Sequence, residues 1–160
     1  MKRIKLSRGK YTFVDDEDFE RLNEFGWYAS KGNGNNFYAQ RRKCKIHVFM
    51  HREILPCPKG FQIDHIDGDG LNNQKKNLRV CTTSQNQFNR GKIKNSTSGY
   101  KGVTWDKRSK KWLAQININK EHKNLGLFDS KEDAALAYNI AAERYHGEFA
   151  KFNEITEATK

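Results

Sequence analysis

The stretch QIDHIDGDG, residues 62–70, sets a histidine among acidic neighbours and then turns the chain at Gly68 and Gly70. Histidine titrates near neutral pH, so His65 can take a proton from an attacking water. Asp64 offers a carboxylate oxygen and Asn86 an amide oxygen, and oxygen ligands of this kind hold a hard divalent cation. Such a cation neutralises charge on a phosphorus under attack and stabilises a leaving 3′ oxygen. The chemistry these residues fit is hydrolysis of a phosphodiester. Taken alone, they leave a second reading open, in which His65 is a structural or solvated histidine in an acidic turn.

The elements that must position them can be read from pattern. Asp64 and His65 follow Ile63, at or within the end of a short strand, and point to opposite sides of it. The loop DGDGLNNQKKN returns to LRV, a second short strand, and TTSQNQFNR provides Thr82, Thr83 or Ser84 to cap a short helix carrying Asn86. Strand, wide loop, strand and helix form a ββα unit over about residues 61–90. Upstream, Ile4 and Leu6, then Tyr11 and Phe13, alternate as strands do. VDDEDFERLNEF predicts a helix near 16–24, with acids in its first turn and Phe19 and Leu22 on one side. KGNGNN reads as a turn, and residues 37–41 and 45–49 as a hairpin. HVFMHREIL continues into a short helix that Pro56 and Pro58 end.

Composition narrows the partners. The 160 residues carry a formal charge of +11 and a hydrophobic fraction of 36%, a folded but strongly polar chain drawn to a polyanion. The basic residues concentrate before residue 60 and between 91 and 128, flanking a nearly neutral acidic-histidine segment. Cys44, Cys57 and Cys81 are widely separated, so neither a disulfide framework nor a structural zinc site is expected. No apolar run reaches the roughly 18 residues of a membrane span, and MKRIKLSRGKYTF lacks the core of a signal peptide. A cytoplasmic protein with no membrane partner is expected.

GKIKNSTSG has the composition of a linker. Beyond it, YKGVTWD, KWLAQININ and KNLGLF read as three strands joined by the turns KRSK and KEH. Ser130 and Asp133 form a capping box for a helix whose Ala134, Ala137, Tyr138, Ala141, Ala142 and Tyr145 recur at helical spacing. His146-Gly147 ends it, and Phe149 and Phe152 are expected to fold back on the core. Period two in the central strand turns Trp112, Ala114, Ile116 and Ile118 to the helix and Leu113, Gln115, Asn117 and Asn119 away from it. A face of amides, with Lys101, Lys107, Arg108, Lys111 and Lys123 on the same strands or turns, suits base edges bordered by phosphates. An ordinary solvated face fits the same residues.

HREILPCPKGFQIDHIDGDGLNNQKKNLRVCTTSQNQFNR resembles the core of the HNH homing endonucleases of phages and group I introns, in its DH pair, its NNxxxNLR run and its SQN. The resemblance implies an α+β fold whose nuclease core is of the ββα-metal (His-Me finger) type with an N-terminal α/β extension. It implies His65 as general base, Asn77 as the asparagine that braces the loop and orients His65, and Asp64 and Asn86 as metal ligands. The implied cofactor is a divalent metal, Mg2+ with Mn2+ as the alternative. His51 reads as a structural histidine or phosphate contact rather than a catalytic group. Arg79 and Arg90 are candidate phosphate contacts, and Arg79 is equally a candidate for a surface salt bridge.

Residues 99–153 resemble the Apetala-type DNA-binding domain of plant ethylene-response factors, in YKGVTWDKRSKKWLAQI, LGLF and DAALAYNIAAERYHGEFAKFN. That resemblance implies a three-stranded antiparallel sheet packed on one helix and entering the major groove. Lys101, Thr104, Trp105, Lys107, Lys111, Gln115 and Asn117 form the implied reading surface. Thr104, Gln115 and Asn117 stand where the plant domains are mostly charged, and Asn124 where they carry tryptophan, so a different target follows. The expected organisation is a nuclease domain over 1–91, a linker over 92–98, a DNA-binding domain over 99–153 and a tail over 154–160.

The function expected is a metal-dependent, sequence-specific endonuclease of double-stranded DNA, nicking one strand as a monomer in a phage-infected bacterial cell. A regulatory DNA-binding protein with an inactive HNH fold is the rival. An RNA-directed role comes third, because the deep, narrow major groove of A-form RNA does not admit such a sheet.

Overall fold

The computed structural model describes residues 1–32, 35–91, 96–118 and 121–155. They fall into two units, Met1–Asn86 and Gln87–Lys160. Residues 92–95 of the expected linker, 156–160 of the expected tail, and Asn119 of the expected amide face lie outside the described residues.

The first unit opens with an antiparallel hairpin, β1 (Lys2–Lys5) and β2 (Tyr11–Val14). Ile4, Thr12 and Val14 are buried, whereas Tyr11 and Phe13 face out. The alternation of Tyr11 and Phe13 thus marks the outer side of the strand, where Arg3 lies over the Tyr11 ring at 4.8 Å. Helix α1 (Asp16–Asn23) carries Asp16, Glu17 and Asp18 in its first turn, where the helix dipole favours acids. Its Leu22 is fully buried. The Asp15 carboxylate before the helix accepts from Gln74 Nε2 (3.1 Å) and Lys75 N (2.8 Å) and so ties α1 to the loop that follows His65.

A three-stranded sheet follows, in the order β3 (Tyr28–Lys31), β4 (Phe37–Lys43), β5 (Ile46–Phe49). The first of these strands is unexpected from the sequence. Helix α2 (Met50–Ile54) leaves β5 directly, and the Arg41 guanidinium holds it by donating to Glu53 Oε1 at 2.6 and 3.0 Å. The second hairpin, β6 (Gln62–His65) and β7 (Leu78–Cys81), pairs Asp64 with Arg79 and His65 with Leu78, and α3 (Thr83–Phe88) completes the strand, strand, helix order. Ile4, Leu6, Val14, Leu22, Trp27, Met50, Ile63 and Leu78 share one core, so the β6–β7 hairpin is anchored by the same packing as β1 and β2.

The loop between β6 and β7 lies along β2. Phe13 N donates to Leu71 O (2.9 Å) and Asn73 N to Phe13 O (2.8 Å), a parallel bridge centred on Asn72. Gly70 permits this seat, since a Cβ there would stand 2.5 Å from both Phe37 O and the Tyr38 ring.

The second unit is an antiparallel sheet in the order β10 (Glu121–Phe128), β9 (Lys111–Ile118), β8 (Val103–Asp106), covered by α4 (Lys131–His146). Ser130 caps α4 by accepting from Asp133 N at 3.0 Å. Ala134, Ala135, Ala141 and Ala142 are buried with Tyr138, Val103, Ala114 and Ile116, and the small side chains let the helix lie close. At Gly102 (φ +73°) a Cβ would stand 2.1 Å from the Tyr138 ring, so only glycine fits. Phe149 folds back and is buried. Phe152 does not, remaining 52% exposed against the expectation, because Asn153 one residue on is held to Lys101 and Asn139 by its amide and main chain.

Candidate active site and reading face

His65 ends β6 and is buried, its ring 5.2 Å from that of His51 in an edge-on contact and 5.9 Å from Tyr38. Burial lowers its pKa from the ordinary histidine value, while the hydrogen bond with Asn73 and the carboxylates of Asp67, Asp64 and Asp69 oppose the shift. The neutral imidazole that results can accept a proton at neutral pH. His51, stacked on Phe49 at 5.3 Å, is pushed down to about 3, first by burial and then by His65 and Arg52.

Asn77 braces the loop. Its Oδ1 accepts from Asp67 N (3.0 Å), and its Nδ2 donates to Asp67 Oδ1 (2.9 Å) and Asn72 O (2.8 Å). Asn77 O also accepts from Ile66 N, the residue after His65. Asn73 also meets the His65 ring, its Oδ1 lying 3.3 Å from His65 Nε2. Sequence pattern alone gives Asn73 no role. It is fully buried, the second asparagine of a pair in a polar loop, and periodicity does not single it out.

Asp64 is buried, and its Oδ2 accepts from Arg79 Nε (3.0 Å) and Nη2 (2.8 Å), as their cross-strand register dictates. Asn86 is placed by a reciprocal cap, in which Thr82 N donates to Gln85 Oε1 (2.8 Å) and Gln85 N to Thr82 Oγ1 (3.2 Å). Asn86 Nδ2 donates to Gln62 Oε1 at 2.6 Å. Gln62 and Asp64 are two apart on one strand and share a face, so this bond brings Asn86 to the side of β6 that carries Asp64. The amide nitrogen is spent on Gln62, and the remaining donors are hard oxygens, as Mg2+ or Mn2+ requires. Among the described residues no group of three or more His, Cys, Asp or Glu is placed to hold a metal ion.

In the second unit, register sorts the implied reading residues. Thr104 pairs with Leu113 and Asp106 with Lys111, which puts Thr104, Lys111, Gln115 and Asn117 on the face turned from α4. Trp105 pairs with Trp112, a residue of the helix-side set, at 5.0 Å between rings, yet stays 43% exposed at the edge. Lys107 is exposed in the turn, and Lys111 Nζ lies 3.0 Å from Asp129 Oδ1. Lys101, half-buried, donates to Phe88 O, and burial lowers it to about 8. Arg90 is exposed. A concavity of about 570 Å³ in this unit is bordered by Lys101, Thr104, Gln115, Asn117, Tyr138 and His146.

Residues 45–88, from the β4–β5 turn through α3, match the family model for HNH endonucleases, and residues 98–148, from before β8 through α4 into the following turn, match that for AP2 domains. An uncharacterized HNH endonuclease of Acanthamoeba polyphaga mimivirus is 34% identical over 156 residues, covering 94% of this chain and 79% of its own. The chain belongs to the HNH endonucleases. Protein 3.8 of Escherichia phage T7 is 38% identical over 97 residues, 61% of this chain and 79% of its own, and the SPbeta prophage protein YosQ of Bacillus subtilis (strain 168) is 29% identical over 89 residues, 56% and 46%. No solved structure matches.

This HNH endonuclease therefore joins a nuclease segment holding Asp64, His65, Asn77 and Asn86 to an AP2-type DNA-binding domain. Among the described residues no helix is long and apolar enough to cross a membrane.

Proposed function

We propose that the chain is a metal-dependent, sequence-specific endonuclease of double-stranded DNA. In this reading it hydrolyses one phosphodiester to a 5′-phosphate and a 3′-hydroxyl, nicks a single strand as a monomer, and works in the cytoplasm of a phage-infected bacterial cell. The observation that carries it is the buried His65 ending the strand on which Asp64 and Gln62 share a face with Asn86. His65 takes the proton of the attacking water as the oxygen bonds to phosphorus. Asp64 and Asn86 would hold a divalent cation, Mg2+ first, which when bound supplies charge neutralisation at the phosphate and the leaving oxygen. Asn77 keeps the loop that follows His65 closed on Asp67.

The proposed division is a nuclease domain over 1–91 with a ββα-metal core, a linker over 92–98 and a reading domain over 99–153. The second domain raises the local concentration of a weakly selective nuclease on its target. Its open sheet face supplies base contacts through Thr104, Gln115 and Asn117, and Lys107 and Lys111 supply phosphate contacts.

A binding protein with a silent nuclease fold has one observation in its favour, the Arg79 guanidinium already neutralising Asp64. Cleavage of long duplex DNA by the purified chain, with Mg2+ or with EDTA and beside His65→Ala, separates the two readings on a denaturing gel. Discrete single-strand products that need metal and vanish with the variant establish the nicking endonuclease. Specific retention of DNA without cutting establishes the silent fold.

A further inference from the structure

The β3–β4–β5 sheet turns one face to the core of the first unit and leaves the other open beside the candidate active site. Ala29 and Ala39 are buried on the inner face, where Arg41 is spent on Glu53. Period two and the register Tyr28↔Gln40, Gln40↔Phe49 and Arg42↔His47 put Tyr28, Tyr38, Gln40, Arg42, His47 and Phe49 together on the outer face.

That face runs away from His65. At its near end the Tyr38 ring stands 5.9 Å from the His65 ring, and Phe49 stacks on His51 at 5.3 Å. Gly32 and Gly70 clamp Tyr38, since a Cβ at either would stand 2.5 Å from its ring. In the middle the Tyr28 hydroxyl meets Gln40 Oε1 (3.1 Å) and His47 Nδ1 (2.7 Å), so His47 is held by Nδ1 and offers its Nε2 edge. At the far end Arg42 is exposed and has, among the described residues, neither a carboxylate nor a hydrogen-bond partner. No aspartate or glutamate occurs between Glu24 and Glu53, while Lys31, Lys43 and Lys45 are exposed there with Arg42. A face in line with His65 that ends in unpaired cations, with no acid beside them, fits a phosphate backbone.

We infer that the outer face of the β3–β4–β5 sheet is a DNA-contact surface in addition to the AP2-type sheet, on which Arg42 and His47 hold the backbone of the duplex flanking the bond cut at His65. The inference rests on the nuclease reading for the place of the cut. Arg42 donates its planar guanidinium to one phosphate, and His47 donates from Nε2 to a neighbouring one. Tyr38 and Arg42 stand about 13 Å apart along β4 at the usual rise of a strand, and each strand of a duplex advances about 3.4 Å per nucleotide, so Arg42 reaches a phosphate about four nucleotides from the cut. The nuclease unit then sets the register of the DNA it cuts through contacts of its own.

The test takes a short duplex selected from a random pool by the full chain and replaces its phosphates one at a time with neutral methylphosphonate. Neutralising a phosphate that the chain holds is expected to weaken wild-type binding about 10- to 100-fold. Arg42→Ala removes an exposed side chain without a partner, so the fold is kept. This variant should be indifferent to neutralisation at one phosphate that matters to wild type, on the flank of the nick, and it should reduce the slope of log K against log salt by about 1. His47→Ala should be indifferent at a neighbouring phosphate, and Lys111→Ala, on the AP2-type sheet, at a different one. Wild-type sensitivity of Arg42→Ala at every phosphate overturns the proposal, as does indifference at the phosphate that Lys111 holds or at one a full helical turn or more from the nick. A chain that never cuts, yet in which Arg42 and Lys111 answer to different phosphates, supports the surface and overturns the nuclease reading instead.

Discussion

Arg79 and Asp64 share one buried ion pair, and their behaviour decides how the site answers to metal. Replacing Arg79 with methionine leaves the Asp64 carboxylate buried without its guanidinium, and loss of one partner of such a pair costs about 3–5 kcal/mol. The metal-free variant should therefore melt well below wild type. If Asp64 is a ligand, Mg2+ compensates the charge that arginine no longer covers, so added Mg2+ should raise Tm more in Arg79→Met than in wild type. Equal shifts in calorimetry would remove Asp64 from the ligand set. His51 gives a second residue-scale expectation. Its folded pKa of about 3 lies below the unfolded value of 6.5, so the unfolded chain binds a proton between those values that the folded chain does not. Its contribution is intact above pH 6.5 and declines by up to about 1.4 kcal/mol per pH unit as pH falls toward 3. His51→Phe should flatten urea-unfolding stability against pH across that window by close to one proton. Asp64, His65 and the capping residues were legible in the sequence because each announces itself within a few positions. Asn73 was not, because its buried partner Thr12 is 61 residues away and periodicity does not single it out.

The wide loop between β6 and β7 is the element on which the site depends. It is irregular in sequence, yet Asp67 collects donors from Asp69 N, Asn72 Nδ2 and Asn77 Nδ2. Those bonds lower the Asp67 pKa in spite of the desolvation that opposes them. Local charge and turn chemistry made the loop visible as a loop. Its seat on β2, and the strand β3 that helps build the neighbouring sheet, were not visible, since both are decided by pairing across the fold. Gly70 tests the seat. In Gly70→Ala the new methyl meets the Phe37 carbonyl and the Tyr38 ring, and the main chain must give way. Crowding of this kind costs about 1–3 kcal/mol, and the displaced loop carries Asn73 and Asn77 with it. The expected result is a lower Tm together with a kcat that falls further than the loss of folded protein explains, measured at a temperature where the variant is fully folded. A lower Tm with wild-type kcat would mean that the loop's position is indifferent to catalysis.

For the whole molecule the question is which charges give affinity and which groups give choice of site. The net charge of +11 pulls the chain to any nucleic acid and makes binding fall with salt. The open face of the AP2-type sheet carries Thr104, Gln115 and Asn117, which are neutral, with Lys107 and Lys111 around them. These two classes of group should separate in one experiment. Lys107→Ala and Lys111→Ala should each weaken binding to target and non-target duplexes alike and reduce the slope of log K against log salt by about 1. Lys111 exchanges its ion pair with the exposed Asp129 for a phosphate at little cost, so pairing in the unbound chain does not spare it. Gln115→Ala with Asn117→Ala should leave the slope unchanged and weaken the target alone, by about 1–3 kcal/mol for each amide that pairs with a base edge through two hydrogen bonds. Because the nuclease segment keeps His65 and Asp64, the amide variant should still nick non-target DNA at the wild-type rate while its preference for one site collapses. Fluorescence anisotropy across a salt series, beside nicking of the same duplexes, reads both quantities. Uniform weakening by the amide variant would show that this face binds the backbone and that selection of a site lies in another part of the chain.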